Sequence, residues 1–519
     1  MRKIFFFKPI AAILVGFSAS LCLSLGAQAQ VQVQVKTPTA KATKDNFPPS
    51  IGLAFKQANI PLHAVSVLVT PVQASPQAPA PQPRLSHRAS AEMNPASVMK
   101  LITTSAGLSM LGPDFTWRNR VFVDGPVKDG VLYGNLYLKG SGDPKLVVER
   151  LQTLIDEVLQ KGLREVRGDI ILDGSVFNLP ARNPASFDDE PLRPYNVAPQ
   201  GLLLNFNAML FKFTPDTVRG EAKIDFEPPL RNVQWPTSVP LSNAPCQDWR
   251  SQLKADFSNA DQVRFTGAYP SACGEQKWPV AYVQPHTFAP RMVQAMWLQA
   301  GGKLSGQVRD GILPSRSSLW HEAPSLPLSE IVADINKLSN NVMAQQLFLT
   351  LSSQQGPGNF EASRQTVLQW WQQHLKDQTL PVLENGSGLS REERSSAQAI
   401  AALLQLAAHS PYASALQKSL AIAGVDGTVS RLKDRLPNSV AIGRAQLKSG
   451  SLRDVASLAG YAEGLSGQRY VFVVIVNHAN ANAARPAMDK LLEWAVSDQK
   501  KSQHDWYLPH HRKPHHCLR

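Results

Sequence analysis

Asn94-Pro95-Ala96-Ser97-Val98-Met99-Lys100-Leu101 is the stretch around which the rest of the chain can be ordered. Proline suits the first turn of a helix, and Val98, Leu101, Ile102, Ala106 and Leu108 then fall roughly along one face. On that helix Ser97 and Lys100 stand three positions apart, so Oγ and Nζ can meet. A serine hydroxyl is a poor nucleophile until a neighbouring base takes its proton. A lysine can be that base if a partly desolvated cleft holding other cations lowers its pKa. The helix N-terminus adds N–H groups that favour a developing negative charge. Alone the pattern is weak, because Ser-x-x-Lys recurs at Ser251–Lys254, Ser430–Lys433 and Ser497–Lys500.

Two further short motifs extend the same chemistry. Ser339-Asn340-Asn341 is the only Ser-x-Asn in the chain. Ser339 can relay a proton between Lys100 and a leaving amine, while Asn341 hydrogen-bonds a substrate amide and Lys100. Serine and asparagine also favour helix caps, and that plainer reading stands beside the first. Lys448-Ser449-Gly450 is the only Lys-Ser/Thr-Gly. From the rim of a strand, Lys448 and Ser449 can bind a carboxylate with charge and hydroxyl. Gly450 lets a substrate backbone approach closely, and the N–H of Ser451 can help bind an oxyanion. A strand ending in a turn explains the same tripeptide. Joint occurrence shifts the balance: the trio, in this order, is the signature of class A β-lactamases and penicillin-binding proteins.

The N-terminus points to export. Arg2, Lys3 and Lys8 precede an apolar run from Ile10 to Leu25, which ends at Ala27-Gln28-Ala29. This is the pattern of a secretory signal over residues 1–29, with the mature chain starting near Gln30. No later stretch reaches the roughly 20 apolar residues that a membrane span needs. The formal net charge of +13 gathers partly at the two ends, where Lys500, Lys501, Arg512, Lys513 and Arg519 face only Asp505. The body holds no basic block of the kind a nucleic-acid binder concentrates on one face. Cys22 leaves with the signal. Cys246 and Cys273 enclose a modest loop that an oxidising compartment would let close, a link worth about 3 kcal/mol. Cys517 sits in a His-rich tail with His504, His510, His511, His515 and His516, a composition common in unfolded tails.

Along the chain, residues 31–46 read as a leader and 64–69 as a strand, followed by a Pro-rich tract from Pro71 to Pro83 that lengthens a surface hairpin. Strand-like runs at 131–138 and 169–172 flank a helix at 147–162. Between about 206 and 295 the texture is strand, turn and proline. Amphipathic helices are expected at 329–353, 361–376, 396–408 and 413–421, then strands at 445–449 and 470–476 and a helix at 485–497. The order suggests one domain in two parts, with a β-rich insertion between them.

Longer stretches widen the match. Leu138-Lys139-Gly140-Ser141-Gly142-Asp143-Pro144, Asn385-Gly386-Ser387-Gly388-Leu389-Ser390-Arg391 and Ala423-Gly424-Val425-Asp426-Gly427-Thr428 join the motifs already quoted. With them the chain, over residues 48–498, resembles the D-Ala-D-Ala carboxypeptidase/endopeptidase family, the low-molecular-mass class C penicillin-binding proteins. The long interval between Ser97 and Ser339 also resembles that family, in which extra domains interrupt the penicillin-binding domain; a compact β-lactamase has a shorter one.

The resemblance implies an α/β (α+β) fold: a penicillin-binding serine-transpeptidase-like domain, helices packed on an antiparallel sheet, with inserted β-rich domains. The expected division is 48–104 plus 322–498 for the peptidase domain, 105–205 plus 296–321 for a second domain and 206–295 for a third nested within it. A leader at 30–47 precedes them and a tail at 499–519 follows. Ser97 would be the acylated nucleophile, Lys100 its proton acceptor, Ser339 and Asn341 the rest of the relay. Lys448 and Ser449 would hold the terminal carboxylate of the peptide. The implied partners are peptidoglycan stem peptides ending in D-Ala-D-Ala and β-lactam antibiotics, in the periplasm, with no metal or organic cofactor. Ser449 stands where the family usually has threonine, and the Pro-rich tract is longer than usual. Asp188 and Asp189 lie near Arg193–Pro199, where such enzymes can present an acid toward the diaminopimelate part of the peptide; a solvated turn explains them too. A β-lactamase and a catalytically silent wall-binding scaffold are the competing readings.

Overall fold

Tyr470–Val476 is an uninterrupted apolar run, the pattern of a strand covered on both faces. The computed structural model describes residues 47–498 and makes this run the heart of a six-stranded antiparallel sheet. Its strands are β1 (Val65–Pro71), β2 (Leu85–His87), β3 (Ala421–Ile422), β4 (Ala445–Leu452), β5 (Val455–Glu463) and β6 (Arg469–Asn477), in the order β2-β1-β6-β5-β4-β3. The expected signal peptide, the leader up to residue 46 and the His-rich tail lie outside the described residues.

Alternation along β6 splits its side chains between two layers. Phe472, Val474 and Val476 pack with Phe55 of helix α1 (Pro49–Gln57) and with Met488, Leu491 and Leu492 of a C-terminal helix, Arg485–Val496. Val471, Val473 and Ile475 pack against the opposite layer. That layer contains α2 (Lys100–Leu111), α5 (Phe360–His374) and α6 (Ala397–Ala408), together with α3 (Leu328–Leu338) and α4 (Asn341–Ser352). The C-terminal helix is α7. Each fully buried Val or Ile contributes about 1.5–3 kcal/mol relative to exposure, so the two-sided strand anchors the domain. The result is helices on an antiparallel sheet, as the sequence predicts.

Three local features differ from the sequence reading. The amphipathic stretch at 329–353 is two helices. Ser339 ends the first in a left-handed conformation (φ 58°), and Asn340 caps the second by accepting the N–H of Met343 at 3.0 Å. β5 was not expected, because Ala456, Ala459, Gly460 and Ala462 carry low strand propensity; burial between two layers overrides it. A helix at Pro285–Gln299 stands where strand and turn were expected, its two prolines having masked it: Pro285 occupies the first turn and Pro290 lies inside.

The chain between Arg118 and Pro324 builds a separate apolar cluster, whose members range from Val121 to Trp297. It carries one five-stranded sheet from Arg118–Val123, Leu136–Lys139, Ile170–Asp173, Val308–Asp310 and Ser318–Pro324. A second five-stranded sheet lies within 208–281. Buried residues from both sides of the expected divide at 205/206 belong to this cluster, and residue 295 lies within the helix Pro285–Gln299. Cys246 and Cys273 are bonded, with Cα atoms 4.9 Å apart.

Candidate active site

Ser97 lies on a single 3₁₀ turn, Ala96–Met99, which runs into α2 at Lys100. The entry to this turn is held by Asn94. Its backbone N–H donates to Asn477 Oδ1 and its carbonyl accepts from Asn477 Nδ2, both at 2.8 Å, while its Oδ1 accepts the N–H of Ala96. Ala96 takes a positive φ of 47°, a costly conformation for a residue with a Cβ and typical of over-determined functional turns. Two glycines allow the close approach around it. A Cβ on Gly388 would fall 2.0 Å from the Ala96 carbonyl oxygen, and one on Gly450 would fall 2.6 Å from that of Pro95.

Lys100 is fully buried. Its ammonium faces three oxygens: Ser97 Oγ at 3.0 Å, Asn341 Oδ1 at 2.6 Å and the Ser387 carbonyl. Burial pushes its pKa down to about 7, an effect partly countered by the charge of Glu393. At that value a neutral amine is accessible near neutral pH. Two N–H bonds then stay with Asn341 and Ser387, and the lone pair turns to the Ser97 hydroxyl.

Lys448 and Ser339 form the other half. The Lys448 ammonium donates to Ser339 Oγ at 2.8 Å and to its neighbour's carbonyl, Ser449 O, at 2.7 Å. The side chain is fully buried, not on the strand rim as the sequence suggested. Burial, then the positive charges of Lys100 and Arg485, hold its pKa well below the ordinary lysine value. Ser449 Oγ donates to Thr428 Oγ1 at 2.6 Å, and Ser451 Oγ to Asn482 Oδ1 at 3.1 Å. β3 pairs with β4 only at Gln446 and Leu447, so residues 448–452 have no strand partner on that edge. A cavity of about 370 Å³ opens here, lined by Ser97, Ser339, Thr428, Ser449, Ser451 and Arg485 among others.

Ser97, Lys100, Ser339, Asn341, Lys448, Ser449, Gly450 and Ser451 therefore converge. The two aspartates do not join them directly. Asp188 closes its own loop, accepting from Tyr195 Oη at 2.8 Å and Asn196 Nδ2 at 2.7 Å. Only the carbonyl of Tyr195 reaches the site, accepting from Asn341 Nδ2 at 3.4 Å. Asp189 is exposed, and its side chain makes no hydrogen bond or ion pair among the described residues.

Sequence reasoning missed Glu393. It is fully buried, and its Oε1 accepts three backbone N–H groups, from Glu384, Asn385 and Gly386, at 2.9–3.0 Å. It thereby shapes the turn that offers the Ser387 carbonyl to Lys100. Burial raises its pKa, and the three N–H groups pull it back. No pattern in the sequence flags it, because the contact is made by backbone. Among the described residues no cluster of three or more His, Cys, Asp or Glu could hold a metal, and no helix is long and apolar enough to cross a membrane.

The model of the D-Ala-D-Ala carboxypeptidase 3 (S13) family matches residues 56–497. The chain belongs to this family. The D-alanyl-D-alanine carboxypeptidase DacB of Haemophilus influenzae is 24% identical over 396 residues, covering 74% of this chain and 80% of its own. A D-alanyl-D-alanine carboxypeptidase of an Actinomadura species is 27% identical over 414 residues, covering 75% and 74%. The crystal structure of penicillin-binding protein 4 (DacB) from H. influenzae superposes with a TM-score of 0.69 at 22% identity, over 86% of this chain and 99% of the other, so the fold is shared. The same protein complexed with a β-lactam superposes at 0.64.

Proposed function

We propose that this chain is a periplasmic serine-type D-Ala-D-Ala carboxypeptidase and DD-endopeptidase that works on peptidoglycan stem peptides through an acyl-enzyme on Ser97. The observation that carries the reading is the placing of Lys100 Nζ 3.0 Å from Ser97 Oγ, with its other two acceptors fixed and its pKa near 7.

The neutral Lys100 takes the Ser97 proton as Oγ attacks the carbonyl of the penultimate D-Ala. The N–H groups of Ser97 and Ser451 stabilise the oxyanion. Collapse breaks the C–N bond, and the leaving nitrogen receives a proton through Ser339, which Lys448 holds in place. Water then cleaves the ester with Lys100 again accepting a proton. When the leaving group is free D-Ala the reaction is a carboxypeptidation; when it is the diaminopimelate of a neighbouring strand it is an endopeptidation. Penicillin acylates the same oxygen through its strained amide. The signal-like residues 1–29 support a periplasmic site of action.

Intact mass after brief exposure to benzylpenicillin, followed over hours, tests this. A lasting adduct on Ser97 supports the peptidase. An adduct that vanishes while the drug is consumed would make it a β-lactamase, and no adduct would favour the scaffold reading.

A further inference from the structure

The Lys-Ser-Gly motif of β4 sends its charge and its hydroxyl to opposite faces of the strand. Lys448 and Gly450 face the Ser97 turn: Lys448 is bonded to Ser339, and Gly450 packs on Pro95 and Ala96. Leu447 points the other way, into the cluster with Leu491 and Leu492 of α7, and Ser449 and Ser451 share its face. The Lys448 ammonium, fully buried and already bonded, is thus poorly placed to be the main countercharge for an anion at Ser449.

A different cation stands on that face. Arg485, the first residue of α7, donates from Nη2 to the Gly450 carbonyl at 2.6 Å and lines the same cavity as Ser449 and Ser97. Among the described residues no carboxylate lies within ion-pair distance of it. The nearest candidate along its own helix, Asp489, is taken by Arg435 at 3.1 Å. Arg431 and Arg435 line the cavity too, so three guanidinium groups meet a single carboxylate there. Arg485 feels Asp489 only through space, against the repulsion of Arg435, and a partly buried cation with no ion pair of its own is unfavourable unless something anionic completes the site. The proposed substrate supplies that anion, since the residue leaving from Ser97 carries a carboxylate on the carbon bonded to the scissile nitrogen. A planar guanidinium matches it with two parallel hydrogen bonds.

We propose that Arg485, with Arg431 lining the same cavity, is the countercharge that binds the leaving residue's carboxylate against the Ser449 and Thr428 hydroxyls, while Lys448 serves Ser339. This rests on the reading of Ser97 as the acylated group. It makes Arg485 a specificity-determining residue: it selects substrates that carry a negative charge next to the scissile bond.

The test compares acylation rates of benzylpenicillin and benzylpenicillin methyl ester, which differ in that charge and one methyl group, in the wild type, Arg485→Gln and Arg485→Lys. The Gln variant should lose about 30-fold or more in the rate with the free acid and little with the ester, so the acid-to-ester ratio collapses; Lys should restore part of the ratio. An equal loss with both compounds would overturn the proposal, because Arg485 would then only prop β4 through Gly450. An unchanged free-acid rate in the Gln variant would overturn it as well. Either failure leaves wild-type acylation of Ser97 intact, whereas absence of any wild-type adduct would instead remove the reading on which it rests. Melting curves confirm folding, and the Lys variant, which keeps the cation, carries the comparison should the Gln variant be unstable.

Discussion

The peptidase sheet and the inserted segment differ in which charged groups they bury and in what fills their interiors. Around β4 and α2, Lys100, Lys448 and Glu393 are fully withdrawn from water. In the insert Lys212 with Glu275 and Lys223 with Asp225 lie outside, Arg120 meets the half-buried Glu322, and Lys139 reaches the one buried partner, Asp173. Its interior is aromatic instead. Phe211, Phe213, Trp249, Phe257, Phe265, Tyr269 and Trp278 pack edge to face or tilted, and Phe213 stacks on Tyr269 at 5.4 Å. Exposed pairs add little to stability, whereas a packed aromatic cluster adds much. Buried charges do the reverse: they cost stability and hold perturbed proton affinities. Both regions have apolar cores; only the peptidase part sets buried lysines beside a serine.

This contrast can be broken or sharpened by substitution. The largest effect is expected from Ser97→Ala, which should remove peptide hydrolysis and the penicillin adduct by at least about 10⁴-fold. Its melting temperature should stay close to that of the parent, and unchanged hydrolysis would sink the mechanism. Phe213→Ala should do the opposite. Truncating this fully buried ring costs about 3–5 kcal/mol of stability, read as a fall in the unfolding midpoint. The acylation rate per folded molecule should hold; a parallel fall would mean that the two regions are coupled.

A smaller effect concerns pH. Lys100 must be neutral to accept the Ser97 proton, and its pKa lies near 7. Acylation measured against pH should therefore fall about tenfold for each unit below that value and level off above it. The smallest effect is expected at Glu393. Its charge raises the pKa of Lys100, so Glu393→Gln should move the acid limb of the same profile to lower pH while Gln keeps an acceptor for the three backbone N–H groups. A loss of rate with no shift in the limb would assign Glu393 a purely structural role.

Much of the architecture was readable in advance because it rests on local rules. The helix after Pro95, the amphipathic helices after Ser325 and the apolar run of β6 all follow from periodicity and caps. The Ser-Asn-Asn motif satisfied both of its readings at once: Asn340 caps α4, and that cap is what turns Asn341 toward Lys100. β5 and the helix at Pro285–Gln299 escaped because small residues and prolines argue against them locally, and only the surrounding layers favour them.

The sequence by itself determined the chemical vocabulary: a serine three residues before a lysine, a Ser-x-Asn, a Lys-Ser-Gly, and the order in which they come. Those are properties of short segments, set by helical and strand periods. Tertiary structure alone decided which face each group took and how far it was withdrawn from water. Lys100 lies near pH 7 because Asn341, Ser387 and the packed layers enclose it, and Lys448 meets Ser339 because of the pleat of β4. Arg485 and Glu393 reach the site from distant parts of the chain through backbone oxygens and N–H groups, which every residue has and no sequence pattern marks.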